Sequence, residues 1–325
     1  MGRTPRVLGP ALLVVFAVSC AQPVAVPARY ALVYGVSRYV AGPEGEGPNL
    51  TYSDDDARGM GEQLLADGYA VTVRVDEQAT RDNIVLDLQS VASMAQTRDL
   101  LLVYFSGHGG VLSDFGLGPA DTAGYPSEAR WILPYGSIDP AYAGPYLRPV
   151  DIRLSEAISS AELQAMVEPV PCAAKVVIID ACNSGGFIAG GAEVDALPPD
   201  YRNGVSIDRA AVFARALSAY LRYTPAGSGD GLPPSEALVV AAAGADEPSY
   251  EYAPLGHGVF TYFLLEAATR GDLDGDGYVT VMEAYAYAAA GIQEYWNAAF
   301  GTQPQLQFLP HVSGGPVDFV LFHSP

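Results

Sequence analysis

The chain has 325 residues, of which 50% are hydrophobic and 17% are charged, so it contains enough apolar material for a globular core and does not have the composition of a disordered protein. Its 37 acidic and 17 basic residues give a net charge of -20. Because phosphate backbones and anionic lipid surfaces repel such a charge, the composition argues against nucleic-acid binding and against electrostatic attachment to a membrane.

The first twenty residues resemble a bacterial lipoprotein signal. Two arginines precede an apolar run at 7–18, which is too short to span a bilayer, and residues 17–20 form a lipobox-like tetrapeptide that ends in Cys20. Residues 1–20 are therefore expected to be a signal peptide, with Cys20 as the lipidation site. A plain secretory leader cut near Ala21 is the alternative. Both interpretations export the chain, and the first attaches it to a membrane only through a lipid anchor.

Strands and helices alternate in the part of the chain that follows the leader. Apolar, β-branched runs of strand length occur at 30–36, 69–75 and 99–105. Apolar residues with helical spacing lie between these runs, at 54–68 and 80–94. This order predicts repeated strand–helix–strand units.

The alternation continues in the second half of the chain. Strands are predicted at 175–180 and 237–243, and helices at 155–167, 259–269 and 281–295. Because several strands are apolar along almost their whole length, we expect a mostly parallel sheet that helices cover on both faces, which is an α/β fold.

Two segments interrupt the alternation. Residues 110–149 are rich in Gly, Pro and Tyr and contain the strand-like stretch 130–135, so we expect a hairpin insertion at the sheet edge. Residues 186–236 combine Gly, Pro and Asp with four arginines around one helical stretch. This second segment is expected to be a long exposed loop.

The strands predicted at 99–105 and 175–180 both run directly into glycine-rich segments. The first is followed by SGHGG, which contains His108, and the second by ACNSGG, which contains Cys182. Ligands bind beyond the carboxyl ends of parallel strands, and a thiol needs a nearby imidazole to act as a nucleophile at neutral pH. Backbone N–H groups of Gly109 and Cys182 could form an oxyanion hole. The alternative is that His108 is a core histidine and Cys182 a small buried apolar residue.

At these residues the chain resembles the caspase-like cysteine peptidases, most closely the bacterial caspase homologues and the metacaspases. The stretches that carry the resemblance occur in the family's order: ALVYGVSRY at 31–39, SDDDARGM at 53–60, YFSGHG at 104–109, VVIIDACNSG at 176–185 and GHGVFTYFLL at 256–265. The resemblance implies a three-layer caspase-like domain over 28–325, a catalytic dyad of His108 and Cys182, and a peptide or protein substrate. The two dyad residues are 74 positions apart, which exceeds the roughly fifty of caspases and fits the insertion at 110–149.

The resemblance also implies which side chain the first substrate pocket accepts. Caspases proper carry a glutamine two residues before the nucleophile and arginines in this pocket, whereas here Asp180 occupies the glutamine position, as in metacaspases and paracaspases. A carboxylate pairs with guanidinium or ammonium, so we expect cleavage after Arg or Lys. Asp56 lies where the family has an acidic residue at a helix start, and it is a second candidate for the pocket. The alternative is that Asp54, Asp55 and Asp56 form an N-cap cluster.

Residues 272–283 match the twelve-residue EF-hand calcium loop. Carboxylates stand at positions 1, 3 and 5, glycine at 6, an apolar residue at 8 and glutamate at 12. The predicted Ca²⁺ ligands are Asp272, Asp274, Asp276, the backbone carbonyl of Tyr278, Thr280 and Glu283. A simple acidic turn is the alternative. A bound Ca²⁺ could brace the two flanking helices or regulate activity, and no organic cofactor is expected.

The sequence therefore predicts an exported caspase-like cysteine endopeptidase with a calcium loop. The alternative is a non-catalytic, calcium-binding surface lipoprotein that uses the caspase-like fold as an interaction module. A serine hydrolase is not favoured, because the chain has no G-x-S-x-G motif. Cys172 is expected to be a buried structural thiol.

Overall fold

The computed structural model describes residues 26–46, 48–111, 130–141, 152–172, 174–181, 237–244, 247–301, 306–313 and 318–325. The predicted signal peptide with Cys20, the predicted loop at 186–236 and Cys182 itself lie outside these ranges. Among the described residues, no helix is both long enough and apolar enough to cross a membrane.

The described part of the chain contains thirteen strands and five α-helices. The strands are β1 Arg29–Gly35, β2 Ala70–Val75, β3 Leu100–Ser106, β4 Gly109–Val111, β5 Arg130–Ile132, β6 Ile158–Ser159, β7 Ala174–Asp180, β8 Leu238–Ala241, β9 Glu251–Tyr252, β10 His257–Gly258, β11 Tyr278–Thr280, β12 His311–Ser313 and β13 Val320–His323. The helices are α1 Ser53–Ala66, α2 Arg81–Met94, α3 Ser160–Val167, α4 Val259–Arg270 and α5 Val281–Gly291.

A central six-stranded sheet has the order β12-β8-β7-β3-β1-β2. Five of its strands are parallel, and only the edge strand β12 is antiparallel to its neighbour β8. Strand β3 is buried at every residue, because it lies in the middle of the sheet with helices on both sides. The predicted α/β class with a mostly parallel sheet is confirmed.

Two apolar clusters on opposite faces of the sheet make the fold three-layered. Alternate residues of β3 and β7, such as Leu102 and Ile178, pack with residues of α1, α4 and α5. The intervening residues, such as Val103 and Ile179, pack with residues of α2 and α3. Each fully buried Leu, Ile or Phe side chain stabilises the fold by roughly 1.5–3 kcal/mol.

The helix predicted at 155–167 begins later in the structure, at Ser160. A capping box sets this start, in which the Ser159 hydroxyl accepts a hydrogen bond from the Glu162 N–H at 3.3 Å and the Ser159 N–H donates to the Glu162 carboxylate at 2.9 Å. Ser159 also pairs with Trp131 of β5, so Ile158 and Ser159 are extended, and residues 154–156 form a turn rather than the start of the helix.

The predicted insertion at 110–149 contributes to a small second sheet. Strands β4, β5 and β6 form a small antiparallel sheet, separate from the central one. The strand at Arg130 is confirmed, although it ends at Ile132 rather than at residue 135. The remainder of this segment lies largely outside the described residues.

The C-terminal part of the chain packs around the acidic loop. Helix α5 continues as a π-helical turn, Ile292–Asn297, so the predicted helix at 281–295 is confirmed in position but not in type at its end. Strand β13 pairs antiparallel with β11, which lies inside the predicted calcium loop. The last strand of the chain therefore contacts the predicted calcium loop directly.

Candidate active site

The central strands β3 and β7 end side by side at the carboxyl edge of the sheet. Ser106 and Asp180, their last residues, are directly paired, and the Gly107 N–H donates to the Asp180 carbonyl at 3.1 Å. His108 follows the first of these paired residues by two positions, and Cys182 follows the second by two positions. The structure describes the second segment as far as Ala181, which is buried at this edge.

His108 is held by the backbone of the segment after β1. Its Nε2 atom lies 2.7 Å from the carbonyl oxygen of Pro48. Because a carbonyl oxygen can only accept, Nε2 donates, and the neutral ring keeps Nδ1 as an acceptor. Burial lowers the pKa of His108, and the Pro48 carbonyl opposes this only in part. A neutral imidazole with a free acceptor nitrogen can take a proton from a thiol.

Tyr39 fixes the backbone of His108. Its hydroxyl accepts a hydrogen bond from the His108 N–H at 2.8 Å and donates to the Leu133 carbonyl at 2.8 Å, and the two rings are 4.9 Å apart. Residue 107 must be glycine for this contact, because its φ is 159° and a Cβ there would lie 2.7 Å from the Tyr39 hydroxyl.

Asn49 fixes the segment that carries both Tyr39 and Pro48. Its side-chain oxygen accepts from the N–H groups of Tyr39 and Val40 at 2.9 and 3.0 Å. Its amide donates to the carbonyls of Val40 and Pro43, each at 3.1 Å. The side chain therefore makes four hydrogen bonds within this segment. The sequence analysis did not identify Tyr39, Pro48 or Asn49, although Tyr39 lies in one of the family-like stretches.

Gly109 has a backbone N–H that the small sheet does not use. The Leu133 N–H donates to the His108 carbonyl at 2.9 Å, and Gly109 is paired with Ile132. In an antiparallel ladder this arrangement makes Gly109 a non-hydrogen-bonded position, so its N–H points away from β5. That is the geometry a donor to an oxyanion requires, although the second predicted donor, the N–H of Cys182, lies outside the described residues.

Asp180 is a buried carboxylate behind this edge. Its Oδ1 atom accepts from the Ser249 hydroxyl at 2.6 Å, and Oδ2 accepts from the Thr261 hydroxyl and N–H at 2.7 and 3.3 Å. The Thr261 oxygen also lies 2.5 Å from the Tyr104 hydroxyl. Asp180 is thus held by two hydroxyls and one backbone N–H.

Asp56, on α1, is a second buried carboxylate beside it. Oδ1 accepts from the Gly258 N–H at 3.0 Å and lies 2.9 Å from Nδ1 of His257, while Oδ2 accepts from the Ser106 hydroxyl at 2.9 Å. Helix α1 has no side-chain cap, so the alternative interpretation of Asp56 as part of an N-cap cluster is wrong. Its carboxylate contacts the sheet and β10 instead of the helix start.

The two carboxylates converge on one point next to Gly258. A Cβ atom at Gly258 would lie 2.6 Å from Oδ2 of Asp180 and 2.9 Å from Oδ2 of Asp56, so a side chain at this position would displace both. Burial raises the pKa of both residues, for Asp56 to about 7, where Asp180 adds to the effect and His257 opposes it. Two desolvated carboxylates at one place favour a cation between them. The sequence analysis missed His257, Ser249 and Thr261.

The acidic loop brings three of its predicted ligands together. Asp272, Asp274 and Asp276 each offer a carboxylate oxygen, and these oxygens lie within 4.8 Å of one another. The Asp272 carboxylate also accepts from the N–H groups of Gly275 and Gly277, at 2.7 and 3.0 Å, which folds the loop around it. Close carboxylates on a compact loop are a donor set that suits Ca²⁺.

The other predicted ligands occupy structural positions. The buried Glu283 carboxylate accepts from the N–H groups of Leu273 and Thr280, at 3.1 and 2.8 Å, and it does not belong to the group of three. The Thr280 hydroxyl accepts from the Glu283 N–H at 3.2 Å and caps α5. Tyr278 begins β11 with an exposed side chain, so its backbone carbonyl is the group relevant to a cation.

A known protein family matches most of this chain. The family model described as the caspase domain matches residues 28–302. The chain therefore belongs to the caspase domain family. A search of curated proteins finds no match.

Two solved structures resemble this caspase-domain chain. Caspase-1 from Spodoptera frugiperda superposes with a TM-score of 0.51 at 12% sequence identity, over 92% of this chain and 93% of that one. A protein from Geobacter sulfurreducens matches with a TM-score of 0.48 at 16% identity, over 92% of this chain and 98% of that one. The likeness to caspase-1 concerns the fold.

Proposed function

We propose that this protein is a cysteine endopeptidase in which His108 and Cys182 form the catalytic dyad. The observation that carries the proposal is the hydrogen bond from Nε2 of His108 to the Pro48 carbonyl, at 2.7 Å. This bond leaves Nδ1 as the acceptor at the edge where β3 and β7 end. The paired residues Ser106 and Asp180 lie two positions before the two dyad residues, so the register supports their proximity.

In the proposed mechanism His108 acts first as a base and then as an acid. Nδ1 takes the proton of the Cys182 thiol, and the thiolate attacks the carbonyl carbon of the scissile bond. The N–H groups of Gly109 and Cys182 stabilise the resulting oxyanion. The imidazolium then protonates the leaving amine as the C–N bond breaks, which leaves a thioester on Cys182. A water molecule, which loses a proton to His108, attacks the thioester; the C–S bond breaks, and the imidazolium protonates the Cys182 thiolate that leaves.

We further propose that the protein cleaves after arginine or lysine. The support is the pair Asp56 and Asp180, whose carboxylates are buried and converge beside Gly258. A buried carboxylate pair can be neutralised by a guanidinium or ammonium group, and it repels an acidic side chain. The substrate residue before the scissile bond is therefore expected to be basic.

A panel of fluorogenic peptides tests both proposals. The peptides are identical except before the scissile bond, where they carry Arg, Lys, citrulline or Asp; citrulline has the shape of arginine without its charge. We expect hydrolysis of the Arg and Lys peptides, loss of it in Cys182→Ala, and retention in Cys172→Ala, because Cys172 is a buried thiol whose pKa burial raises to about 11. Hydrolysis that survives Cys182→Ala would exclude the dyad, and an inactive wild type would favour the non-catalytic alternative.

We propose that Ca²⁺ binds the acidic loop at 272–283 and has a bracing role. Asp272, Asp274 and Asp276 fit as ligands, with the Tyr278 carbonyl completing the set on the same loop. The bound ion would supply positive charge that neutralises three close carboxylates. Strand β11 pairs with β13 and leads directly into α5, while α4 ends just before the loop. A loop ordered by bound Ca²⁺ would therefore stabilise the positions of β13, α4 and α5.

We also propose that the protein is exported and anchored through a lipid on Cys20. The support is the sequence of the first twenty residues alone, with its arginines, short apolar run and terminal cysteine. A chain with a net charge of -20 gains nothing from an anionic membrane surface, so attachment would depend on the acyl chains.

A further inference from the structure

His257 lies between the buried carboxylates and the solvent. Its Nδ1 atom is 2.9 Å from Oδ1 of Asp56, whose side chain is 1% exposed, while the imidazole itself is 25% exposed. The residue belongs to β10 and directly precedes Gly258, the point on which Asp56 and Asp180 converge. It also packs against α1, where a Cβ on Gly59 would lie 3.4 Å from its Cε1 atom.

The charges around His257 are mainly negative. Asp56 bonds to it, and Asp55 and Asp180 act on it through space; these interactions raise the pKa of His257, the Asp56 hydrogen bond most strongly, against the effect of burial. The guanidinium of Arg58 is engaged by Asp54 and Asp55. The Glu251 carboxylate is engaged by the N–H groups of Thr51 and Tyr52. The titratable groups on the elements that pack against β10 are Asp54, Asp55, Asp56, Arg58 and Glu62 on α1, Tyr262, Glu266 and Arg270 on α4, and Glu251 and Tyr252 on β9.

Two buried carboxylates that share one site are unstable as a pair of anions without a nearby cation. In the part of the chain that the structure describes, His257 is the group hydrogen-bonded to this pair that can become a cation. As an imidazolium it can donate from Nδ1 to Asp56 while the ring reaches solvent. The structure therefore places beside the carboxylate pair a group that can serve as its counter-ion.

We propose that His257 is a proton-exchanging specificity residue: its imidazolium balances the Asp56–Asp180 pair in the empty pocket, and it releases one proton when a guanidinium enters. The proton that leaves is the one on Nε2, and it passes to solvent. The proton on Nδ1 stays in the hydrogen bond to Asp56. The pocket thus exchanges a proton for the substrate's cation, and its net charge does not change.

Two measurable consequences distinguish this proton exchange from binding of the guanidinium by charge attraction alone. A bound guanidinium lies close to the imidazolium and disfavours it, so occupation lowers the pKa of His257. By linkage, the affinity for a guanidinium rises with pH over the range in which the empty pocket still holds its proton. A neutral ligand of the same shape brings no charge, so it produces neither effect. The inference rests on the proposed preference for basic residues and adds the mechanism by which the pocket selects them.

The probe is n-butylguanidine, a guanidinium that contains neither an amine nor a peptide bond, together with its urea analogue, n-butylurea, which is neutral and nearly isosteric. Imidazole C–H resonances of the full-length protein are followed by NMR from pH 5 to pH 9, without ligand and with each ligand. The chain has four histidines, so His257→Gln suffices to identify the signal of His257. His323 is the internal control, because its Nδ1 lies 3.1 Å from the Asp67 carboxylate at a distant position of the fold.

We expect n-butylguanidine to lower the pKa of His257 by one unit or more, and to leave the C–H resonances of His323 unchanged at each pH. The affinity for n-butylguanidine should rise up to tenfold per pH unit below the pKa of His257 in the free protein, and n-butylurea should show no such trend. A pKa of His257 that does not change when n-butylguanidine is bound, or an equal shift with n-butylurea, would overturn the exchange. If n-butylguanidine does not bind at any pH, both the exchange and the basic pocket fail. A protein that cleaves Arg peptides with an unresponsive His257 would overturn the exchange alone.

Discussion

The carbonyl oxygen of Pro48 lies 2.7 Å from Nε2 of His108, so the main chain of a loop orients the imidazole of this site. Any residue can supply a backbone carbonyl, so this uncharged group leaves no pattern in the sequence. It accepts a hydrogen bond from one ring nitrogen and thereby fixes the orientation of the ring. The loop keeps its shape through the neighbouring side chain, Asn49, which makes four hydrogen bonds to the backbone of Tyr39, Val40 and Pro43. Asn49 is therefore a positioning residue for His108.

Replacement of Asn49 by alanine should lower kcat with little change in KM. The variant leaves the buried N–H group of Tyr39 and the partly buried N–H group of Val40 without acceptors, which costs roughly 1–3 kcal/mol of stability. It also releases the carbonyl that orients His108, and a displacement of about 1 Å can reduce a rate about 100-fold. Steady-state kinetics and thermal melting measure both effects. Asn83→Ala is the control, because that amide donates to the Gln78 carbonyl at an exposed position. An equal loss of kcat in both variants would contradict the positioning role.

The sequence predicts His108 but could not predict its partner. His108 is recognisable because it follows a fully apolar strand and is flanked by glycines. This pattern is typical of a functional site at the end of a strand. Pro48 contributes only a backbone atom, and Asn49 acts through bonds within its own loop, so neither leaves a pattern in composition or spacing. Asp56 was a candidate only through the family resemblance, because its position at the start of a helix is equally typical of a cap. Only the three-dimensional contact with His257 and Ser106 distinguishes the two roles.

The pocket carboxylates should determine the preference for a charged residue before the scissile bond. Asp56→Asn and Asp180→Asn each remove one anion and keep the side-chain size. We expect each to lower the ratio of kcat/KM for the Arg peptide to that for the citrulline peptide by about 10- to 100-fold, which corresponds to about 1.4–2.8 kcal/mol. The ratio cancels any effect on the catalytic dyad. Asp55→Asn, on the same helix but bonded to Arg58 at an exposed position, should leave the ratio unchanged. An unaltered ratio in the two pocket variants would exclude this pocket.

Calcium should raise the melting temperature of the wild type. A ligand that binds only the folded state at about 100 times its Kd adds about 2.7 kcal/mol, which raises the melting temperature by roughly 4 °C for a chain of this size. Asp272→Ala should abolish this increase, because it removes a carboxylate from the group of three. Glu62→Gln, which changes an exposed carboxylate on α1, should retain it. Identical melting curves for the wild type with calcium and with chelator would exclude the site.

The five parallel strands of the central sheet were predictable from the sequence, and the edge strand β12 and the other C-terminal pairings were not. Strands β1, β3 and β7 are long apolar runs because both of their faces are covered, and a run of this kind is visible in the sequence. Strands β9 to β13 have two to four residues each, and β11 and β12 pair with strands far away in the chain, β13 and β8. Their short sequences do not show the two-residue period on which strand prediction depends.

Cys20→Ser should move the protein from the membrane fraction to the soluble fraction of cells. The acyl chains that a lipidated cysteine carries supply the anchoring energy, and serine cannot accept them in this reaction. Fractionation followed by immunoblotting measures the distribution. A wild type that is already soluble would favour the plain secretory leader cut near Ala21.

Self-cleavage should occur within the segment at 186–236. This segment contains Arg202, Arg209, Arg215 and Arg222 and no lysine, so a peptidase that prefers basic residues carries its own potential substrate there, and every such cut must follow an arginine.

Few core contacts would be lost on cleavage, because the expected loop connects β7 to β8 and these two strands pair directly with each other. Mass spectrometry of the purified wild type beside Cys182→Ala tests this prediction. We expect fragments that end at one or more of the four arginines in the wild type and an intact chain in the variant. Replacement of all four arginines by glutamine should then prevent cleavage and show whether activity depends on it. A wild type that remains uncut and fully active would exclude self-processing as a requirement, and fragments of the same mass in Cys182→Ala would attribute the cuts to another peptidase.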